Sequence, residues 1–358
     1  MFSNRRVCMN KKYLKLFFFI ITPILLLLPL SLTWNFTKYF KSIILEPKKT
    51  GITTLNFYDD SRSRPIVTEI WYPVDKDAPA KTAHGFWVRC DEARDVPMST
   101  QKNKYPLIIL SHGSGGHRFD VSWLAEILSS NGYIVAAMDH YGNTWNNKIP
   151  EYYTRPWERP KDVSFVVDQL LSSSQFKDRI DENRIGFAGY SLGGATGIWV
   201  AGAIASSITD EQIKEACQKD LENTIPNDVI QMTNYDEARQ SFVDKRISAF
   251  LLMAPALGWL FDEKSLSNIA SPALIVAAGK DKVTPMETNA QLFAKKMSKA
   301  TLRIVPGDAD HYVFLNRASQ LGKRLLEPRF SEDHSTLGRR KIHEDIGKNA
   351  IEFFDSHL

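Results

Sequence analysis

The chain has 358 residues, 43% of them hydrophobic and 24% charged, and its formal net charge at pH 7 is +4. This length suits one large domain, and the ordinary composition excludes a disordered chain or a low-complexity repeat protein. Much of the positive charge lies near the N-terminus and no basic stripe follows it, so the sequence does not support nucleic-acid binding.

The first predicted element is the uncharged, apolar segment 16–32, which follows five Lys and Arg residues. Such a segment is typical of a signal peptide or an N-terminal membrane anchor. We favour an uncleaved anchor, because no small-residue cleavage site follows and an aromatic belt does, formed by Trp34, Phe36, Tyr39 and Phe40. The basic flank would stay in the cytoplasm, which places the rest of the chain on the extracytoplasmic side, the periplasm in a bacterium.

Residues 1–47 are therefore predicted to form a basic tip, the anchor or signal segment and a linker, and residues 48–358 one α/β domain. This domain begins with a predicted hairpin of strands 52–58 and 65–73, followed by an irregular loop over 75–104. Apolar strands then alternate with helices, which predicts a mostly parallel central sheet with helices on both faces. The strands are 105–111, 133–138, 184–189, 247–254, 273–278 and 301–305, and the helices are 121–130, 160–172, one beginning at 191, 286–299 and 341–354.

Residues 206–244 interrupt this alternation with a polar, charged and helix-prone stretch. The stretch is either a lid that folds over the carboxyl ends of the strands, where ligands bind in such sheets, or a solvated helical excursion. Cys90 and Cys217 would both lie on the exported side, where they form either one disulfide or two separate thiols.

A Gly-x-Ser-x-Gly pattern is the most informative motif of the chain, with Ser191 between Gly189 and Gly193. An apolar run precedes it and small residues typical of a close-packed helix follow. This context predicts a nucleophile elbow, in which the serine sits on a strained turn between a strand and a helix. The backbone N–H of Leu192 would then point to the place where an oxyanion forms during acyl transfer.

A serine hydroxyl becomes a good nucleophile only when a base takes its proton. His311 follows the predicted strand 301–305 and is the candidate base, and Asp281 follows strand 273–278 and is the candidate orienting acid. The order Ser, Asp, His along the chain fits a hydrolase triad on a parallel sheet. Surface or capping roles are assigned to the other histidines except His112, which belongs to another motif; His140 and His343 are among those so assigned.

Three other carboxylates compete with Asp281 for the role of the acid. Asp308 and Asp310 are so near His311 in the chain that their reach to its ring is awkward, and Asp262 is a backup. The chain order favours Asp281.

The Gly-rich run Ser111-His112-Gly113-Ser114-Gly115-Gly116 directly follows the strand 105–111. Its glycines let the backbone approach a substrate carbonyl, and the N–H of Ser114 is predicted to complete an oxyanion hole with that of Leu192. A phosphate-binding loop is the alternative. It fails, because the sequence has neither the Gly-Lys-Ser/Thr pattern nor the Gly-x-Gly-x-x-Gly pattern.

Over residues 50–358 the chain resembles the α/β-hydrolases. It is similar to the dienelactone-hydrolase-like group that is related to platelet-activating-factor acetylhydrolases. The stretches that carry the resemblance are 70–73, 110–116, 186–194 and 254–258. The resemblance implies the α/β-hydrolase fold and esterase or lipase-type hydrolysis of acyl esters, without a metal or another cofactor.

The chain departs from this group at two positions. Dienelactone hydrolases use a cysteine nucleophile, whereas this elbow carries Ser191. Animal platelet-activating-factor acetylhydrolases take their acid from the loop after the strand that follows the elbow helix. Here that loop, 254–258, has no carboxylate, so the acid is assigned one strand later, at Asp281.

We therefore expect a serine carboxylic-ester hydrolase that forms an acyl-enzyme on small-acyl or lipid-like esters. Tyr141, Trp145 and Trp259 fall on loops expected near the site and indicate an apolar substrate pocket, although ordinary loop packing explains them equally well. A serine peptidase or an acyltransferase would use the same triad. A non-catalytic binding protein of this fold is disfavoured, because such proteins usually lack a triad member.

Overall fold

The computed structural model of the chain describes residues 44–220, 225–333 and 335–358. The predicted anchor at residues 16–32 lies outside this part of the chain. Among the residues that are described, no helix combines the length and the apolar character needed to cross a membrane.

A nine-stranded sheet forms the centre of the molecule, with the strand order β11-β10-β9-β8-β4-β5-β2-β1-β3. Its strands are β1 (Lys49–Asp59), β2 (Arg64–Tyr72), β3 (Asp91–Arg94), β4 (Tyr105–Ser111), β5 (Ile134–Met138), β8 (Ile180–Tyr190), β9 (Ile247–Met253), β10 (Ala273–Ala278) and β11 (Ala300–Val305). Within it, β2 runs against the other eight strands. The predicted N-terminal hairpin and the mostly parallel sheet are confirmed. The short strands β6 (Asn143–Thr144) and β7 (Asn147–Lys148) form a separate hairpin.

Helices connect the strands and cover the sheet. They are α1 (Ser122–Ser130), α2 (Pro150–Tyr153), α3 (Glu158–Ser172), α4 (Leu192–Val200), α5 (Asp210–Asp220), α6 (Asn227–Met232), α7 (Glu263–Ser267), α8 (Ala290–Lys296), α9 (Gln320–Leu325), α10 (Pro328–Ser331) and α11 (Arg339–His357). Three 3-10 turns complete the set, at Asp236–Arg239, Met286–Thr288 and His311–Phe314. Helix α1 packs against α11, and α3 against α4.

Strands β4, β5 and β10 are buried along their whole length. Their sequences are almost unbroken runs of Ile, Leu, Val and Ala, as expected where helices cover both faces of a parallel sheet. Burying so many apolar side chains is the main source of stability, at roughly 25 cal/mol per Å² removed from water. The carboxyl ends of the parallel strands consequently form a rigid edge that carries the loops of the site.

Two local expectations are wrong. Residues 75–104 are not entirely loop, because β3 (Asp91–Arg94) pairs in parallel with β1 at the edge of the sheet; its four residues are mostly charged and give no strand pattern. The predicted helix 286–299 begins only at Ala290. Asn289 interrupts it, since its side chain accepts from Gly258 N and donates to Pro285 O at 3.0 Å each.

The insertion 206–244 contains α5, α6 and the turn Asp236–Arg239. Its Tyr235 is fully buried and packs edge-on against Trp157, with ring centroids 5.8 Å apart. The hydroxyls of Thr154 and Thr233 lie 2.8 Å from each other. The insertion is thus attached to the segment between α2 and α3, and its role as a lid stays a prediction. Cys90 and Cys217 are not joined by a disulfide, so of the two alternatives the structure has separate thiols.

Candidate active site

Ser191 lies at the turn between β8 and α4, with a positive φ of 56° and a ψ of −118°. Few non-glycine residues adopt this backbone region, and holding one there costs on the order of 1–3 kcal/mol. The turn is held by two hydrogen bonds, from Ser191 N to Met253 O in β9 at 2.9 Å and from Ala256 N, in the loop after β9, to Ser191 O at 3.1 Å. Glycine is needed two residues before the serine, because a Cβ on Gly189 would lie 2.2 Å from Gly193 O. The local geometry is that of a nucleophile elbow.

The structure brings Ser191, His311 and Asp281 into one hydrogen-bonded chain. His311 Nε2 lies 3.0 Å from Ser191 Oγ, and His311 Nδ1 lies 2.7 Å from Asp281 Oδ2. All three residues are buried, and Ser191 keeps 8% of its surface exposed. With its Nδ1 proton directed at the carboxylate, His311 has Nε2 free to accept the serine proton.

The Asp281 carboxylate is oriented by the turn that follows β10. Its Oδ1 atom accepts the backbone N–H groups of Val283 and Thr284, each at 2.8 Å. Its Oδ2 atom accepts the Thr284 hydroxyl at 2.8 Å as well as His311 Nδ1. Four donors therefore fix the rotation of this carboxylate. Sequence reasoning missed Thr284, although a hydroxyl three residues after an aspartate in a turn is a recognisable signal.

The other three candidate carboxylates accept hydrogen bonds from backbone N–H groups instead. The pairs are Asp262 with Ser206 and Ser207, Asp308 with Thr336, and Asp310 with Tyr312. These bonds give each of the three a local role in holding a loop.

Tyr190 supports His311 from within the core. Its hydroxyl donates to the His311 carbonyl oxygen at 3.0 Å, and the two rings lie 5.0 Å apart. Burial raises the pKa of Tyr190 well above its usual range, so the hydroxyl stays a donor. Its place in the elbow, directly before Ser191, gave no sign of this contact.

The Gly-rich run 111–116 lies against the first turn of α4. A Cβ on Gly193 would meet Ser111 O at 2.1 Å, and a Cβ on Gly113 would lie 3.4 Å from Ser191 Cβ. Among the residues that the structure describes, the N–H groups of Leu192 and Ser114 donate to no protein acceptor. These two amides are thus available to a substrate oxygen beside Ser191.

The three predicted pocket residues occupy different places. Trp145 adjoins the Gly-rich run, because its N–H donates to Gly116 O at 3.2 Å, and its side chain is 60% exposed. Tyr141 instead packs edge-on against Tyr152, with centroids 5.6 Å apart. Trp259 is 41% exposed, in the loop after β9. Val283, beside Asp281 in the chain, is another exposed apolar side chain that the sequence analysis did not name.

The surface or capping role assigned to His140 is wrong. Its side chain is completely buried, with Nε2 2.8 Å from Ser111 Oγ and Nδ1 2.8 Å from Asp162 Oδ2. Burial lowers the pKa of His140 to about 4, so the imidazole is neutral at pH 7. His343 is likewise buried, and it stacks on Trp123 with ring centroids 4.0 Å apart.

No group of three or more His, Cys, Asp or Glu side chains is arranged to hold a metal ion within the described ranges.

Comparison with known proteins places similar chains among ester hydrolases. Residues 63–148 match the family model of platelet-activating factor acetylhydrolase, isoform II. A bis(hydroxyethyl) terephthalate hydrolase from Streptomyces coelicolor is 21% identical over 249 residues, which are 70% of this chain and 61% of that protein. Cutinase est1 from Thermobifida alba is 23% identical over 247 residues, 68% of this chain and 63% of that one. The chain thus spans less than two thirds of the length of these relatives.

A solved structure of a ferulic acid esterase from Streptomyces cinnamoneus superimposes with a TM-score of 0.58 at 20% sequence identity. The match covers 87% of this chain and 91% of the esterase. The two chains therefore share a fold.

Proposed function

We propose that this chain, which has the α/β-hydrolase fold, is a serine carboxylic-ester hydrolase with Ser191, His311 and Asp281 as its catalytic triad. The observation that carries the proposal is His311, whose ring contacts Ser191 Oγ through Nε2 and Asp281 Oδ2 through Nδ1. A base between a nucleophile and an orienting acid is the arrangement that activates a serine. The similarity to several ester hydrolases supports the same reaction.

In the first half-reaction, His311 Nε2 takes the Ser191 proton while Oγ attacks the ester carbonyl carbon. The oxyanion that forms accepts hydrogen bonds from the N–H groups of Leu192 and Ser114, and Asp281 stabilises the imidazolium. His311 then protonates the departing alcohol, which leaves an acyl group on Ser191. In the second half-reaction, His311 deprotonates a water molecule that attacks the acyl carbon, the bond to Ser191 Oγ breaks, and His311 returns the proton to Oγ as the carboxylic acid leaves.

We propose small-acyl or lipid-like esters as substrates. The backbone of Trp145 adjoins the proposed oxyanion loop and Val283 lies two residues after the acid in the chain, and both side chains are exposed and apolar. Exposed aromatic and aliphatic side chains next to a site favour an apolar acyl or alcohol group. Two relatives are named as a bis(hydroxyethyl) terephthalate hydrolase and a cutinase, which supports an ester as the substrate.

The test is hydrolysis of p-nitrophenyl esters, from acetate to long acyl chains, by the full-length chain in detergent. We expect turnover that Ser191→Ala abolishes, with a preferred chain length that separates small-acyl from lipid-like substrates. A folded wild-type protein that hydrolyses none of these esters would overturn the proposal. Hydrolysis of a matched p-nitroanilide at a higher rate would redirect it to a peptidase.

The N-terminal segment 16–32 is proposed to anchor the catalytic domain, residues 48–358, at the extracytoplasmic face of a membrane. The support is its uncharged, apolar sequence and the basic residues before it. Membrane fractionation with protease added from the outside tests this: we expect the domain to be cleaved or released in intact, wall-stripped cells. Protection of the domain in such cells would contradict the proposal.

The insertion 206–244 is proposed to act as a lid. It is attached at Thr154, and the preceding Tyr153 hydroxyl lies 3.2 Å from the position of a Cβ on Gly115. Movement of the insertion would thus displace the segment that carries Tyr153, and with it the oxyanion loop. We expect the rate on a long-chain ester to rise abruptly above the solubility limit of the substrate; a smooth saturation curve would argue for a fixed surface element.

A further inference from the structure

Arg159, in the first turn of α3, lies under the Gly-rich run although it is 46 residues from Gly113 in the sequence. The residue is only 2% exposed. Its Nη1 atom donates to His112 O at 2.6 Å and its Nη2 atom to Gly113 O at 3.0 Å. Its guanidinium thus bonds backbone carbonyl oxygens, whereas the neighbouring Asp162 is bonded by Arg64 through Nε and Nη2.

A buried charge with neutral partners is costly, and burial lowers the pKa of Arg159 to about 9. The nearby Asp162 carboxylate favours the charged form and offsets part of this cost, whereas the hydrogen bonds of the guanidinium to backbone go to the Gly-rich run. Its position therefore points to the loop that it holds.

Asn143 extends the contact to the other side of the loop. Its Oδ1 atom accepts both Arg159 Nη2, at 2.9 Å, and the backbone N–H of Gly115, at 2.8 Å. The side chain is buried and comes from β6, two residues before Trp145 in the same hairpin. One guanidinium and one amide therefore bind two carbonyls and one N–H of the same loop.

Because the peptide unit is planar, the contacts that hold the Gly113 carbonyl also fix the direction of the Ser114 N–H. The Gly113 carbonyl and the Ser114 N–H belong to one planar, trans peptide unit, so they point in opposite directions. Holding the Gly113 oxygen toward Arg159 turns the Ser114 N–H away from it. The Gly115 N–H is already occupied by Asn143, which leaves the Ser114 N–H to a substrate.

His112 adds another donor to the same carbonyl, which also accepts the backbone N–H of Gly116 at 3.2 Å. Its Nδ1 atom lies 2.7 Å from Gly113 O, and its Nε2 atom accepts the N–H of His140 at 3.1 Å. These partners assign the neutral imidazole with its proton on Nδ1. Hydrogen bonds to a carbonyl oxygen polarise its peptide unit, so they also make the Ser114 N–H a stronger donor.

We propose that Arg159 is a positioning residue that, together with Asn143, aims and polarises the Ser114 amide for the oxyanion. This inference rests on the proposed ester hydrolysis. Arg159 and Asn143 would thus support the oxyanion loop without belonging to the triad.

The test compares an ester with its thionoester, in which sulfur replaces the carbonyl oxygen and accepts hydrogen bonds poorly. A misplaced oxyanion donor should slow the ester more than the thionoester. For Arg159→Lys and Arg159→Met in the full-length chain, we expect kcat for the ester to fall about 10-fold and about 100-fold, respectively. The ratio of kcat/KM for the ester to kcat/KM for the thionoester should fall as well. KM should change little, because the Ser114 N–H bonds the oxyanion only in the transition state.

Arg339→Lys is the matched control, because Arg339 is equally buried and also bonds backbone carbonyls, those of Asn316, Phe330 and Glu332. It should lower stability but leave the ratio unchanged. Asn143→Ala is the second variant, and it carries the test if the Arg159 variants do not fold. An unchanged ratio in folded variants would overturn the positioning role alone, whereas a wild type that hydrolyses neither substrate would overturn the proposed function.

Discussion

Thr284 and His311 bond the same carboxylate oxygen, Oδ2 of Asp281, at 2.8 and 2.7 Å. The Thr284 hydroxyl also lies 3.3 Å from His311 Nδ1 and from Ala254 O. The buried Asp281 carboxylate therefore has the His311 ring and the uncharged Thr284 hydroxyl as partners on one oxygen. An oxygen that is held by two donors keeps its position when the imidazole becomes charged.

Replacing Thr284 removes one of these donors. We expect Thr284→Val to lower kcat several-fold with little change in KM, because the shape is kept while the carboxylate gains freedom to rotate. The free energy of unfolding should fall by about 1 kcal/mol. Thr284→Ser, which keeps the hydroxyl, should retain most of the activity. Equal activity of the Val and Ser variants in steady-state assays would contradict this role.

The positive φ of Ser191 predicts an unusual order of stability among its variants. Ser191→Gly relieves strain of about 1–3 kcal/mol, while glycine adds about 0.5–1 kcal/mol of entropy loss on folding. We expect Ser191→Gly to be more stable than Ser191→Ala by about 1 kcal/mol, measured by denaturant unfolding. Both variants should lack activity. A less stable glycine variant would mean that the elbow is not strained.

Glu126 in α1 predicts a pH dependence of stability. Its Oε2 atom accepts the Cys90 N–H at 3.1 Å, and burial raises the pKa of its carboxyl to about 7, from an ordinary value of 4.5. The folded state therefore keeps the proton longer than the unfolded state does. The resulting stability is complete below pH 4.5 and is lost as the pH rises to about 7.

Glu126→Gln isolates this effect, because glutamine keeps the acceptor and does not ionise. The free energy of unfolding of the wild type, relative to the variant, should decline by roughly 3 kcal/mol across that interval. Urea titrations of both proteins at several pH values measure it. A difference that stays constant with pH would show that the carboxyl ionises normally in the folded chain.

Trp145 predicts a dependence on substrate size. Its exposed ring beside the oxyanion loop makes few contacts to lose, so Trp145→Ala should leave the melting temperature nearly unchanged. For long-chain or aryl esters we expect kcat/KM to fall several-fold, and for acetate esters little effect. Tyr58→Ala is the control, an exposed aromatic on β1, three strands along the sheet from β4. The same loss on all esters would contradict a role in binding the larger group.

Much of the site could be predicted from the sequence because its parts directly follow recognisable strands. Ser191 and Asp281 each come after a buried apolar run, and His311 follows the edge strand β11; the carboxyl ends of these parallel strands share one edge of the sheet. Of the two candidate acids Asp281 and Asp262, Asp281 contacts the His311 ring, whereas Asp262 bonds the Ser206 N–H. Local pattern and global topology coincide at these positions.

The supporting residues were not predictable in the same way. Arg159 occupies an ordinary helix start, and its partners lie 46 and 47 residues away, so no local pattern indicates the contact. The assignment of His140 was wrong because the sequence around a histidine that follows a strand does not distinguish a buried side chain from an exposed one. Strand β3 escaped notice, since its edge position is encoded by pairing with β1 and its own residues are mostly charged.

The most direct test of the account is covalent labelling of the full-length chain with a fluorophosphonate, followed by intact mass and peptide mapping. A serine activated by His311 displaces the fluoride and becomes phosphonylated, as it would be acylated by an ester. We predict one phosphonyl group per chain, on Ser191, with ester hydrolysis lost in proportion, and no label on Ser191→Ala. A label on another residue, or hydrolysis that survives in Ser191→Ala, would contradict the role of Ser191 as the nucleophile.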